Sequence, residues 1–591
     1  MITLSLHTGY HDATAALFSG YDLLAAVQLE RLTRKKGDGG GGGIPEPCIE
    51  EVLGIAGVQK RDIGALVLSR ASYPGRYYRT KGLGPARGLA RRLASGSKMR
   101  DMSNELFKRQ IVDARTIFNT DTLLADLELP AAIPVFFSNH HMAHALSAFF
   151  HTDWTEALLY TADGCGDNVH YSMRHAAGDG ITCFYGDDRE LLRSRPINSL
   201  GLAYGFATEA LGYRMNRHEG KLTGLAALGE PRLAQALGAH FLVDEDGLVH
   251  SDFKSNMAMR AEIVRLAALE APAHMAASIQ KLLEDCILLS VRRFLKRAGS
   301  RHLALAGGIF ANVRLNRLLC EETDIDEIFI YPAMGDEGLA VGGALEYFLS
   351  RDGFSRWSSQ RRRLRDVYLG RNGTERIDEV LTASGMKRMD GDPVDLCARL
   401  LAGGAIGAIY DGRMEFGPRA LGARSILASP ADATVNRKLN DRLERTEFMP
   451  FAPYVLLEDA SKVFAITDRN RYACRFMTIT TAVHPEWRDR IPAVVHVDGT
   501  ARPQIIEDEA NPLYACILRR LKAITGLPVL VNTSFNVHEE PIINKPEECL
   551  RALQEGRVDF IVTHGGVYCL AATPLPDFQR SATQPLVTQR R

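Results

Sequence analysis

The chain lacks any imbalance of charge: its 591 residues carry 71 Lys and Arg against 71 Asp and Glu. That removes the electrostatic footprint of a nucleic-acid binder, a membrane-surface protein or a chain with an acidic tail, so no nucleic-acid partner is expected. No run reaches the roughly 18 apolar residues of a spanning helix, and the N-terminus MITLSLHTGYHD has neither a basic leader nor a long apolar segment. A cytoplasmic protein with no membrane partner is therefore expected. The ten cysteines are scattered without a CxxC pair, which argues against a zinc ribbon and fits reduced thiols. The one close pair of helical histidines lacks the Glu of HExxH, having Met142 and Ala143 between, which argues against a zinc protease. What the chain does have is 46% hydrophobic residues over a length that, at roughly 150 residues per domain, supplies more than one core.

That pair sits in NHHMAHALSA, residues 139 to 148. The stretch is free of Gly and Pro, so His140 and His144 fall on one face of a helix, one turn apart. Two neutral imidazoles so placed can grip a divalent ion if carboxylates arrive from elsewhere; the plainer reading is a pair of hydrogen-bonded surface histidines. Five polar turns stand out beside it. Ile2 to Leu6 and Ala15 to Phe18 read as a strand and its return, with Gly9, His11 and Asp12 in the turn between. The strand EALLYTA runs into DGCGDN, where Asp163 and Asp167 flank two glycines. Glu219 and Lys221 open an apolar helix; Lys221 could neutralise a phosphate and Glu219 accept a ribose hydroxyl. HLALAGGIFANVRLN places Gly307, Gly308 and Asn312 at a strand–helix junction suited to adenine, and YPAMGDEG places Asp336 before a small-residue helix. The repetition of a glycine–acid turn after an apolar strand suggests a duplicated nucleotide-binding architecture.

Three further stretches set expectations. The near-continuous glycines from Gly37 to Gly43 read as a flexible loop. From Arg70 to Arg109, eleven basic residues face two acidic ones, with Tyr73, Tyr77 and Tyr78 among them; this reads as the solvated face of an inserted helical region, or else as an acceptor-binding strip. Trp357 to Asp366 reads as a linker. Beyond it, Arg413, Arg419, Arg424, Arg445 and Arg502 lie in Gly- and Ser-rich turns, where guanidinium forks can hold phosphate oxygens. Asn532, Thr533, Ser534 and Asn536 offer neutral donors and acceptors for a small amide-like group.

The N-terminal pieces together resemble the actin-like ATPase superfamily, and within it the lobe of the enzymes that finish threonylcarbamoyl modification of tRNA. The stretches GAIYDGRMEFGPRALGARSILASP (407 to 430), HVDGTARPQ (496 to 504) and LVNTSFNVHEEPI (530 to 542) resemble, in order, the C-terminal signatures of the O-carbamoyltransferases of the nodulation-factor and tobramycin type. The resemblance implies an α/β chain with a duplicated actin-like domain (1–355), a linker (356–368) and a YrdC-like domain (369–591). It implies one divalent metal, iron(II) by expectation, on His140, His144, Asp163 and Asp336. Adenylate contacts fall to Glu219, Lys221, Gly307, Gly308 and Asn312, with Arg413, Arg445, Asn532 and Ser534 binding in the second domain.

The implied chemistry uses ATP, Mg²⁺ and carbamoyl phosphate to make carbamoyl-adenylate, with Arg419, Arg424 and Arg502 stabilising charge. The carbamoyl group then passes to a hydroxyl of a small-molecule acceptor, with His11 and Asp12, or else His141, taking the proton. One stretch departs from the family's Lys-x-Arg-Glu and Arg-Pro-Phe-Ala-Pro: Leu443, Thr446 and Met449 replace the Lys, the Glu and the second Arg. Each lost charge-assisted hydrogen bond weakens a phosphate site by roughly 1.5–3 kcal/mol. Three other readings stay open: threonylcarbamoyl transfer to tRNA, a phosphotransferase using the γ-phosphate, and a nucleotide- and metal-binding partner protein without turnover. Acceptor and oligomeric state are not legible.

Overall fold

The computed structural model of the protein describes residues 1–79, 99–192, 196–445 and 450–571. Strands β1 (Ile2–His7), β2 (Thr14–Ser19) and β3 (Asp22–Gln28) form an antiparallel meander that runs into the short helix α1 (Leu29–Thr33). β4 (Ile63–Ser69) and β5 (Val135–Ser138) then add in parallel on the far side of β1, giving the order 3-2-1-4-5. These strands are buried over most of their length, as sheets covered on both faces must be, which is why they read as short apolar runs rather than alternations.

After helix α2 (His140–Phe149) the same pattern returns. β6 (Ala157–Gly166), β7 (Val169–Ala177) and β8 (Gly180–Tyr185) make the meander, and β9 (His302–Ala306) and β10 (Glu327–Ile330) add in parallel beside β6. The order 8-7-6-9-10 repeats that of the first sheet. The two sheets thus carry the duplication expected from the paired glycine–acid turns. Helices α3 (Glu219–Ala226), α4 (Pro272–Ala298), α5 (Val313–Glu322) and α6 (Leu339–Asp352) complete the half. Among the described residues no helix is long and apolar enough to cross a membrane.

The C-terminal half is a second α/β unit. β11 (Tyr368–Asn372) pairs with β14 (Arg413–Glu415). An eight-stranded mixed sheet holds β12 (Lys387–Arg388), β13 (Gly407–Tyr410), β15 (Arg424–Ala428), β16 (Ala452–Leu456), β17 (Gln504–Ile506), β18 (Val529–Ser534), β19 (Phe560–Val562) and β20 (Val567–Cys569), in the order 12-20-19-13-15-18-16-17. Helices α7 (Pro393–Ala402) and α8 (Pro512–Thr525) share one core with this sheet. The motifs GPRALGAR and LVNTSFN thus become β15 with the loop before it, and β18, which are neighbours in the sheet.

Three expectations need revising. The glycine run is not a loose loop: Gly37 and Gly39 are buried, the Asp12 and Ala13 amides donate to the Gly37 and Asp38 carbonyls at 3.2 and 3.0 Å, and a Cβ on Gly39 would lie 2.2 Å from the Tyr10 carbonyl carbon. Glycine is needed there because two backbones pack with no side chain between them. The basic strip is not uniformly a solvated face either. Tyr73, Tyr77 and Tyr78 are buried, and the Arg70 side chain, 8% exposed, is a structural ion-pair partner; Arg91 and Arg92 lie outside the described residues. The segment joining the halves is lashed down rather than free. Trp357 is fully buried with its indole N–H on the Leu345 carbonyl at 2.9 Å, and Arg363 pairs with Glu327 and Asp153.

Candidate active site

Helix α2 starts where it does because Asn139 caps it: the Asn139 side chain accepts the Met142 amide at 2.9 Å, an arrangement that contributes about 1 kcal/mol. The Asn139 amide donates to Glu346 at 2.8 Å and its side-chain amide to Asp188 at 3.0 Å. The next amide, of His140, donates to Asp167 at 2.7 Å. Asp167 also accepts from Ser103, and Asp188 is gripped by Arg70. A buried ionic layer therefore fixes the first turn of the helix and with it the histidines.

His140, His144, Asp163 and Asp336 converge, each offering a ligand atom within 4.8 Å of all the others. Asp163 projects from β6 and Asp336 from the turn before α6. His140 Nε2 is 2.6 Å from Asp163 Oδ2 and 3.7 Å from Asp336 Oδ1; His144 Nε2 is 3.5 and 3.6 Å from the same two oxygens. His144 is fully buried yet neither ring nitrogen has a hydrogen-bond partner, and Asp163 Oδ1 is likewise buried and unpartnered. Buried polar atoms without partners are costly, and two imidazoles with two carboxylates are the donor set of a divalent transition metal. The residues fit such an ion. Gly166 is part of the cradle, since a Cβ there would sit 2.1 Å from the His140 ring.

The electrostatics agree. Burial acts to lower the His140 pKa, but the Asp163 and Asp336 carboxylates overcome it and hold it up at about 10. Burial works against ionisation of Asp163 and Asp336 too, and the histidines prevail, keeping both below the usual carboxylate range. A proton on His140 occupies the role a cation would take.

The turn after β1 comes to the same place. His11 Nδ1 is 2.9 Å from Asp12 Oδ2 and 4.0 Å from Asp336 Oδ2. The hydrogen bond to Asp12 raises the His11 pKa to about 9, against the opposing effect of burial. His141 is not available: its ring nitrogens bond Thr161 Oγ1 at 2.8 Å and the Val169 carbonyl at 3.1 Å, and burial pushes its pKa down to about 3. Sequence reasoning passed over His7. Its Nδ1 bonds Ser69 Oγ at 3.0 Å, its buried Nε2 has no hydrogen bond and lies 3.9 Å from Asp336 Oδ2, and burial lowers its pKa to about 4. A lone His at the end of a buried strand carries no spacing signal. Glu337, also missed, is pushed up to about 8 by burial and by Asp12.

The nucleotide candidates are grouped but partly committed to the fold. Gly307 donates its amide to the Met334 carbonyl at 2.7 Å, and the space beside Gly308 is open. Asn312 caps α5 through Leu315 and donates to Gln280 at 2.8 Å, so its side chain holds helices. Glu219 accepts the Asn216 amide at 2.6 Å and is raised in pKa by burial. Lys221 is buried, with Nζ 3.5 Å from His538 Nε2 in the other half. His218, His538 and Glu539 form a second group of potential ligands across that seam, in which Glu539 pairs with His218 at 2.6 Å and with His538 at 3.6 Å. A cleft opens nearby between the halves, lined by Thr223, Val313 and Arg314 from one side and His496, Asp498 and Thr500 from the other.

In the C-terminal half the arginines separate into two kinds. Arg424 is fully buried, its fork donating to the Asp411, Gly412 and Ala423 carbonyls over the Tyr410 ring. Arg413 donates to Leu24, Leu369 and Gly370 carbonyls. Both forks are spent on backbone, which places these two in the framework rather than on a ligand. Arg445 instead reaches the end of β18, bonding Thr533 Oγ1 at 2.8 Å, Ser534 Oγ at 3.1 Å and Asn536 Oδ1 at 2.6 Å. Arg419 and Arg502 are part-buried. Asn532 donates to Gln504 at 2.7 Å while its Oδ1 is buried without a partner. Glu415, unremarked in the sequence, takes the Leu421, Ala423 and Arg424 amides on one oxygen and so shapes the GPRALGAR loop.

Residues 3–345 match the model of the carbamoyltransferase N-terminus and residues 398–569 that of the carbamoyltransferase C-terminus. The chain belongs to the carbamoyltransferase family. This carbamoyltransferase is 33% identical to the nodulation protein NolNO of Sinorhizobium fredii over 94% of its own length and 78% of that protein's. An uncharacterized protein of Synechocystis sp. is 31% identical over 97% of both chains. Among solved structures, full-length HypF in a phosphate- and nucleotide-bound form is similar at 14% identity and TM-score 0.31, over 59% of the carbamoyltransferase and 47% of HypF. The family makes the enzyme a transferase of carbamoyl groups and gives its two halves their order.

Proposed function

We propose that this carbamoyltransferase is an ATP-dependent O-carbamoyltransferase working through carbamoyl-adenylate, with a small-molecule hydroxyl as acceptor. In the C-terminal half, water cleaves carbamoyl phosphate to carbamate and phosphate. A carbamate oxygen then attacks the α-phosphorus of ATP, expelling pyrophosphate. Arg419 and Arg502 hold the anionic oxygens, Arg445 braces Thr533, Ser534 and Asn536 at the end of β18, and Arg424 and Glu415 set the loop that carries Arg419. Asn532 and Ser534 offer the amide-like group its hydrogen bonds, and Mg²⁺ accompanies the triphosphate.

In the N-terminal half the acceptor oxygen attacks the carbamoyl carbon, its bond to the adenylate oxygen breaks, and AMP leaves. His11, oriented by Asp12, takes the hydroxyl proton. Glu219, Lys221 and Gly308 receive the adenylate. His140, His144, Asp163 and Asp336 would hold a divalent metal, iron(II) by our expectation, whose Lewis acidity would polarise the carbamoyl carbonyl or the adenylate phosphate. The single observation that carries the reading is the His140, His144, Asp163 and Asp336 cluster lying against the His11–Asp12 pair on the turn after β1.

The test needs no acceptor. Purified protein with ATP, Mg²⁺ and carbamoyl phosphate is followed by a pyrophosphate assay and by mass spectrometry for carbamoyl-adenylate. Carbamoyl phosphate-dependent pyrophosphate and the adenylate are expected. ATP bound with no pyrophosphate released would overturn the adenylation step, and ADP as product would point to a phosphotransferase.

A further inference from the structure

The two proposed half-sites lie on different halves of the chain, and one buried ion pair touches the supports of both. Glu30 and Arg31 stand on α1, 8% and 2% exposed, with Arg31 Nη1 2.6 Å from Glu30 Oε1. Glu30 Oε2 accepts the Gly37 amide at 2.7 Å, and the Gly37 carbonyl accepts the Asp12 amide at 3.2 Å, beside His11. In the other direction Arg31 Nη2 donates to the Gly417 carbonyl at 2.7 Å, and Gln28, the residue before α1, accepts the Gly417 amide at 3.2 Å. Gly417 precedes Pro418 and Arg419. It has φ of 114°, and a Cβ added to it would stand 3.2 Å from the carbonyl oxygen of Pro332, four residues ahead of Asp336.

The continuous path runs from the Asp12 amide through Gly37, Glu30 and Arg31 to Gly417. Two other contacts across the seam differ. Arg34 ends on the Pro541 and Ile542 carbonyls, and Tyr472 ends on the His151 carbonyl; neither reaches a turn that bears His11 or Arg419. A guanidinium with one arm on a carboxylate and another on a carbonyl has fixed planar geometry, so the two turns it joins keep a fixed separation.

We propose that the Glu30–Arg31 pair is a positioning strut that holds the His11–Asp12 turn of the transfer site and the Gly417–Arg419 loop of the adenylation site in mutual register. It acts through the turns and not on substrate, and its effect on catalysis rests on the two-half-site reading above.

Arg31→Met, Arg31→Lys and Glu30→Gln are compared with wild type and with Tyr472→Phe, which removes a seam contact that serves neither turn. Two readouts are taken: deuterium uptake at the amides of 11–14 and 416–424, and kcat and KM for carbamoyl phosphate in pyrophosphate release. Arg31→Met is expected to speed uptake in both segments together and to cut kcat/KM at least tenfold, Arg31→Lys to fall between, and Tyr472→Phe to match wild type. Wild-type uptake in either segment overturns the strut; if Arg31→Met does not fold, Arg31→Lys and Glu30→Gln decide by the same criterion. A wild-type protein that releases no pyrophosphate refutes the adenylation reading instead, and the uptake result still decides the strut.

Discussion

Gly166→Ala is a one-methyl test of the metal cradle. The added Cβ would stand 2.1 Å from His140 Cδ2, 2.2 Å from Cγ and 2.5 Å from Nδ1. Ordinary carbon contacts begin near 3.5 Å, so the imidazole must retreat by about 1.4 Å. Metal–ligand distances tolerate only about 0.2 Å, and Nε2 would leave the position it holds 2.6 Å from Asp163. Overpacking of this kind costs about 1–3 kcal/mol of stability, which a protein of this size survives folded. We expect metal affinity to fall at least ~100-fold, close to the loss from His140→Ala. Adding His140→Ala to the Gly166→Ala protein should then cost little more, because both remove the same ligand. Chelator competition gives the affinities, elemental analysis the stoichiometry and thermal melting the stability. A Gly166→Ala protein that binds metal within about threefold of wild type, or two losses that simply add, would refute the placement of His140 in the ligand set.

Metal affinity should rise with pH. The His140 pKa, near 10, means that the ring is protonated at neutral pH and must shed that proton on binding, so affinity should fall about tenfold per unit as pH drops from 9 to 6; titration calorimetry in two buffers should count about one proton released. Carbamoyl transfer should show a limb set by His11, whose pKa is raised to about 9 by Asp12: kcat/KM for the acceptor climbs about tenfold per unit between pH 7 and 9, and Asp12→Asn moves the limb down toward the ordinary imidazole value while lowering the plateau. Asn139→Ala removes the cap of α2 and should cost about 1 kcal/mol in denaturant unfolding. Leu443→Lys, which restores the family's cation, should destabilise by more than about 2 kcal/mol without improving KM for carbamoyl phosphate, because residue 443 is 1% exposed in the core.

What could be read from the residues follows from how local each signal is. The α2 pair was legible because helical spacing is a local rule. The carboxylates Asp163 and Asp336 were legible only through the family pattern, since their approach depends on the packing of two sheets. His7 and Glu415 left no trace for the same reason: one hydrogen-bonds Ser69 and the other the 421–424 amides, partners that no spacing announces. The glycine run misled because composition reports what a backbone can do alone, whereas Gly39 is glycine for the sake of Tyr10. Arginines in glycine-rich turns misled in a similar way. A guanidinium fork fits carbonyl oxygens as well as phosphate oxygens, and Arg413 and Arg424 are spent on carbonyls.

The altered motif gains its meaning from that distinction. Leu443 packs in the core and lends its carbonyl to the His538 amide, so the position supports the chain just beyond the LVNTSFN motif. Arg442, the neighbour that might have replaced a lost cation, pairs with Asp559 at 2.9 Å. The cation of this stretch that does reach the motif is Arg445, and it meets Thr533, Ser534 and Asn536 together. Charge has thus been withdrawn from the stretch while its one arginine is welded to the neighbouring motif. On the function proposed above, a phosphate anion there is assigned to Arg419 and Arg502, and Arg419 lies on the loop whose entry residue, Gly417, is held from the other half by Gln28 and Arg31. A pocket with fewer cations depends more on where each one is held, since a lone fork displaced by an ångström forfeits both of its hydrogen bonds. On the proposed function, the loss at 443 to 449 and the buried Glu30–Arg31 pair then act together: less charge at the site, and a tighter hold on what remains.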